Sequence, residues 1–190
     1  MWYGLLIVLV GLERVAELVV ADRNRRWSLT RGGVETGQRH YPLIVALHGG
    51  LLAGALAEVY LLDRPFYPAV GFPMLVVVAS AQGLRWWCIA TLGHQWNTRV
   101  IVVPGRELVQ AGPYRWLRHP NYIAVVVEGA ALPMVHTAWL TAAAFTVLNA
   151  PLLWWRITVE NRALASLRRP DAVPARRSSL DALDAGGRPA

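Results

Sequence analysis

The sequence predicts an all-α integral membrane protein of about five transmembrane helices, the last two forming a C-terminal hairpin. Three observations lead there. Hydrophobic residues make up 55% of the 190-residue chain and charged residues only 16%, less charge than a soluble domain of this length carries. The apolar residues gather in runs long enough to cross hydrocarbon. All 19 basic residues are arginine, and most of them cluster between the runs, as positive-inside loops do.

The first run, residues 2–21, reads as a retained span rather than a cleaved leader, because it lacks a basic start and a small-residue cleavage site. About 20 residues of helix cover about 30 Å, the hydrocarbon thickness. Arg23, Arg25, Arg26 and Arg31 follow it and place its end in the cytoplasm. Residues 41–62 form the second span and stop at the turn signal Asp63-Arg64-Pro65. Residues 69–92 form the third, followed by a loop with Arg99, Arg106, Arg115 and Arg118. Residues 122–135 and 137–158 form the hairpin, whose first arm is short enough to tilt or to cross only in part. This order puts the arginine-rich loops and the C-terminus on the cytoplasmic side. Tryptophans 2, 27, 87, 96, 116, 154 and 155 fall near span ends, as interfacial anchors do. Residues 1–168 read as one domain, with the functional core at about 93–168. The Pro-, Ala-, Arg- and Ser-rich tail at 169–190 shows no apolar period and reads as disordered.

Composition also excludes classes. The formal charge of +7 suits loops facing anionic lipid, whereas a nucleic-acid partner would need a basic, aromatic-studded face on a soluble fold. The single cysteine, Cys88, allows no internal disulfide and reads as a small buried hydrophobe. His48, His94 and His136 are scattered, and no His/Glu spacing suggests a metal site. The Gly-rich strand-to-helix signature of soluble Rossmann methyltransferases is missing.

Two polar clusters bracket the hairpin. The first reads Gly112-Pro113-Tyr114-Arg115-Trp116-Leu117-Arg118-His119-Pro120-Asn121-Tyr122. Pro120 disfavours helix at His119 and suits the first turn of the next helix, so His119 stands at a helix mouth and Tyr122 within its first turn. The second cluster carries Arg156 and Glu160, four apart on one helix face, where they either pair with each other or act on separate partners. Such polar side chains at a membrane surface read either as an ordinary interfacial loop or as a functional site.

Together the clusters resemble the C-terminal core of the isoprenylcysteine carboxyl methyltransferases, membrane enzymes that use S-adenosylmethionine. The resemblance implies that Leu108, Val109, Tyr114, His119, Pro120, Asn121, Tyr122 and Glu160 bind that cofactor. It implies catalytic roles for Glu160, which would neutralise the cofactor's ammonium group, and for Arg156, which would hold an anionic oxygen of the acceptor. Where the family shows consecutive acids, this chain has Val159, Glu160 and Asn161, which puts the neighbouring acidic role in question. The stretches Arg23-Asn24, Gly32-Gly33-Val34-Glu35 and His40-Tyr41, with Trp96-Asn97-Thr98-Arg99, are similar to bacterial members acting on polyketide lipids. Arg99 is thereby an acceptor-side candidate. Glu13 and Glu17, which flank Arg14 inside the first span, read either as a structural ion cluster or as part of the acceptor site. The expected reaction is methyl transfer to a carboxylate or hydroxyl oxygen of a lipophilic or prenylated acceptor. The alternatives are a phospholipid amine N-methyltransferase and a non-enzymatic transporter or assembly subunit. The sequence leaves the oligomeric state open.

Overall fold

The computed structural model describes residues 2–38 and 41–167. His40 and the tail at 169–190 lie outside the described residues. The fold is nearly all-α: α1 (Trp2–Leu29), α2 (Tyr41–Leu61), α3 (Pro68–Leu92), α4 (Pro120–Met134) and α5 (Trp139–Leu167). Among the described residues, two helical stretches, Tyr41–Leu61 and Pro68–Gln95, are long and apolar enough to cross a membrane.

The helix ends follow local chemistry more than the apolar runs do. α1 continues to Leu29, eight residues past the apolar run, because no glycine or proline interrupts it before Gly32. It then closes in a Schellman arrangement. Gly32 takes φ 76°, the Gly33 amide donates to the Ser28 carbonyl at 2.9 Å, and the Gly32 amide donates to the Leu29 carbonyl at 3.2 Å. α5 runs on to Leu167, which puts Arg156 and Glu160 both inside a helix. Its start is capped from α2. The Glu58 carboxylate accepts from the amides of Leu140 and Thr141 at 3.1 and 2.7 Å and pairs with Arg64 at 3.0 Å, satisfying donors that a helix N-terminus leaves free.

Two short strands were not foreseen by the helical reading. β1 (Val34–Thr36) pairs antiparallel with β2 (Val100–Val102), with Glu35 opposite Ile101. The pairing joins the α1–α2 connection to the α3–α4 connection.

Apolar packing forms two separate clusters. One gathers Tyr3, Ile7 and Val10 of α1 with Ala55 and Val59 of α2, Val78 of α3, and Ala131, Leu132 and Val135 at the far end of α4. The other gathers Ala21, Ile89 and Trp96. Between them lies a polar layer. Arg14 donates to Glu17 at 2.6 Å, to Gln82 at 2.8 Å and to Glu128 at 2.9 Å. Arg85 pairs with Glu17 at 3.4 Å and hydrogen-bonds Glu128. Gln82 and the Trp86 indole donate to Glu13. The layer cross-links α1, α3 and α4, and Glu17, Arg85 and Glu128 are buried in it. Removing one partner of a buried pair leaves an uncompensated charge, which costs about 3–5 kcal/mol.

Arg85→Met is therefore expected to lower the thermal midpoint of the detergent-solubilised protein strongly, in line with a loss of about 3–5 kcal/mol. Adding Glu128→Leu should restore part of that loss. Circular dichroism melting of both variants checks this.

Candidate active site

A cavity of about 540 Å³ opens where the α3–α4 connection meets the starts of α4 and the end of α5. That is within the roughly 300–1,000 Å³ typical of small-molecule sites. Its walls bring the two sequence clusters together: Tyr114, His119, Asn121 and Tyr122 from the first, Arg156 and Glu160 from the second, with Leu108 and Val109 from just upstream of the first and Arg99 from the loop before β2. Glu13 and Glu17 stand elsewhere, in the polar layer of the bundle. Pro120 is buried at the first turn of α4 and acts through the backbone it fixes.

Three side chains form the centre. The Tyr122 hydroxyl donates to Glu160 and accepts from Arg156 Nε at 2.9 Å. Arg156 and Glu160 thus meet through a phenol rather than by pairing with each other. The His119 ring stacks on Tyr122 with centroids 5.4 Å apart, and its Nδ1 lies 3.7 Å from Glu160. His119 holds this place because it is the residue before Pro120: with φ −136° and ψ 61° it ends the loop at the N-cap position of α4. Arg156 is only 9% exposed, so its charge acts with little screening.

The first cluster's turn is held against α3. The Tyr114 phenol lies beside the Cys88 thiol, and burial, with Cys88 next to it, pushes the phenol well above its usual range, keeping it neutral. The turn depends on Gly112, whose φ is +52° and whose place would put a Cβ 2.4 Å from Thr91 Oγ1 and 3.0 Å from the Trp87 indole nitrogen. Only glycine combines that backbone with that approach.

At the other wall, Glu35 of β1 accepts from Arg99 at 2.6 Å and from Arg25 of α1 at 3.0 Å. Burial alone would raise its pKa, but the hydrogen bonds from Arg99 and Arg25 outweigh burial and hold the carboxyl below its usual range. The Arg99 guanidinium lies 4.3 Å over the Tyr41 ring, and the bond to Glu35 raises its own pKa further.

Four buried polar atoms on cavity-lining residues have no hydrogen-bond partner: His119 Nε2, Asn121 Oδ1, Asn161 Oδ1 and Trp96 Nε1. Such orphaned groups are costly without a ligand or water. Donors, acceptors and the Glu160 carboxylate together fit a ligand with an ammonium group and a heterocycle, and S-adenosylmethionine has both. Asn161 and Trp96 were not singled out from the sequence as binding residues. Asn161 was visible only as the departure from a pair of acids, and Trp96 only as an interfacial aromatic that opens the Trp96-Asn97-Thr98-Arg99 stretch.

A model of the isoprenylcysteine carboxyl methyltransferase (ICMT) family matches residues 74–166, which contain both clusters. The chain is 39% identical over 163 residues to the uncharacterized protein YpbQ of Bacillus subtilis (strain 168), covering 85% of this chain and 96% of the relative. It is 21% identical over 155 residues to an uncharacterized protein of Haemophilus influenzae (strain ATCC 51907 / DSM 11121 / KW20 / Rd), covering 81% and 90%. No solved structure matches.

Gly112→Ala is expected to dislodge the turn that carries Tyr114 while leaving the helices in place. Far-ultraviolet circular dichroism should stay unchanged, and the indole fluorescence of the full-length protein should shift as Trp87 loses its packing against that turn.

Proposed function

Because the chain belongs to the isoprenylcysteine carboxyl methyltransferase family, we propose that the cavity is a methyl-transfer site for an oxygen of a lipophilic acceptor. The observation that carries the reading is the Tyr122–Glu160–Arg156 junction in the wall of a cavity with unpartnered polar atoms. When bound, S-adenosylmethionine supplies an activated methyl group. Leu108, Val109, Tyr114, His119, Asn121, Tyr122 and Glu160 would hold it, with Pro120 fixing the backbone between His119 and Asn121.

The residues divide the labour by charge. Glu160 offers a carboxylate to the donor's ammonium group. Tyr122 keeps that carboxylate apart from Arg156, so each charge stays available to its own ligand. Arg156 would hold the acceptor oxygen and favour its ionised, nucleophilic form. A carboxylate acceptor then needs no base, and a phenol or enol is brought closer to ionisation by the same cation. Fixing the two reactants in one orientation supplies most of the remaining acceleration.

The charge of the walls weighs against an amine acceptor. Arg99, Arg106, Arg115, Arg118 and Arg156 face only Glu107 and Glu160 among the described lining residues. A second cation beside the donor would be repelled, whereas a carboxylate or phenolate would be attracted. The reading sets all five helices in a bacterial plasma membrane. The arginine-rich connections and the cavity would then face the cytoplasm, where a water-soluble donor and a bilayer-borne acceptor can meet.

Titration calorimetry of the detergent-purified protein with S-adenosylhomocysteine tests the site. Wild type should bind, and His119→Ala and Glu160→Gln should each weaken binding by about tenfold or more, about 1.4 kcal/mol per factor of ten. A folded wild type that does not bind would overturn the assignment.

A further inference from the structure

The α1–α2 connection lies outside both sequence clusters, yet its strand β1 backs β2, which lines the cavity. Glu35 is the middle residue of β1; its neighbours Val34 and Thr36 are exposed, while its own side chain is only 5% exposed. Opposite it stands Ile101, and all three residues of β2 line the cavity. A two-stranded pairing of three residues per strand is marginal by itself, so something else must hold this wall in place.

The Glu35 carboxylate fills that role by its position. One oxygen accepts from Arg99, which lines the cavity and immediately precedes β2; the other accepts from Arg25 on α1. Arg99 in turn rests on Tyr41 at the start of α2. One carboxylate therefore joins α1, β1 and the cavity wall, and through Arg99 it reaches α2. Without it, two guanidinium groups would face each other with no anion between them, and charge-assisted hydrogen bonds of this kind are among the stronger ones.

We propose that Glu35 is a positioning residue for donor binding: it fixes Arg99 and β2 as a rigid wall of the cavity and so couples the N-terminal helices to a site built mostly from the C-terminal half. The inference rests on the cavity being the donor site.

The test is S-adenosylhomocysteine titration of the full-length protein in detergent, well below the unfolding midpoint of each variant. Glu35→Gln keeps the shape and removes the charge, and should weaken binding about tenfold, about 1.4 kcal/mol. Arg99→Gln should do the same, and the double variant should bind no worse than the weaker single one, because both break one link. Glu35→Asp, which keeps the charge, should recover part of the affinity. Wild-type affinity in a folded Glu35→Gln would overturn the proposal and leave the donor site standing. Losses that simply multiply in the double variant would also overturn it. A folded wild type that does not bind would overturn the donor-site reading and this inference together.

Discussion

Every charge inside the helical bundle has to find its counter-charge within the protein, because apolar surroundings offer no water to take its place. That constraint organises the molecule. Arg14 and Arg85 can be satisfied only where Glu17, Gln82 and Glu128 converge, so α1, α3 and α4 are fixed in one register at mid-height. The apolar clusters above and below tolerate sliding far better than this layer does, since hydrophobic burial is non-directional. A one-residue slip of α1 would turn Arg14 off its partners and leave buried carboxylates unpaired.

The register set there carries upward to the cavity. Arg85 lies less than one turn below Cys88, beside which Tyr114 lies, and Glu128 lies on the same helix as Tyr122. At the upper end of α1, Asn24 donates to the carbonyls of Gly93 and Trp96 at 3.1 and 2.8 Å, tying that helix to the loop that begins the cavity wall. The cavity is thus assembled from loops and helix ends whose positions are decided deeper in the bundle. Its own polar groups can then be left partly unsatisfied, as a ligand site requires, because the framework does not depend on them.

The same logic of charge explains the wall on the N-terminal side. Glu35, Arg25 and Arg99 meet at the edge of the bundle, where strands of three residues could not hold alone. Opposite charges do there what length does in a larger sheet. The site centre repeats the pattern with a phenol added: Tyr122 stands between Arg156 and Glu160. That spacing keeps one cation and one anion usable within a single cavity.

Local chemistry written in the sequence determined the helices, the order of the two clusters and the family. Apolar runs demand helix in lipid-like surroundings, Pro120 must end the loop at His119, and Arg156 and Glu160 must share a face at four-residue spacing. The meeting of Arg14 and Arg85 with Glu17 and Glu128 was not legible, because pairing across helices depends on rotation and depth that no local pattern encodes. The strand pairing of residues 34–36 with 100–102 was hidden for a similar reason: three-residue strands have too little period to read. Tertiary structure alone decided that Tyr122 separates Arg156 from Glu160, that Glu13 and Glu17 belong to the bundle and not to the cavity wall, and that Glu35, from another part of the chain, holds the cavity-lining Arg99. Each of these is a contact between side chains distant in sequence, set by where whole helices come to rest.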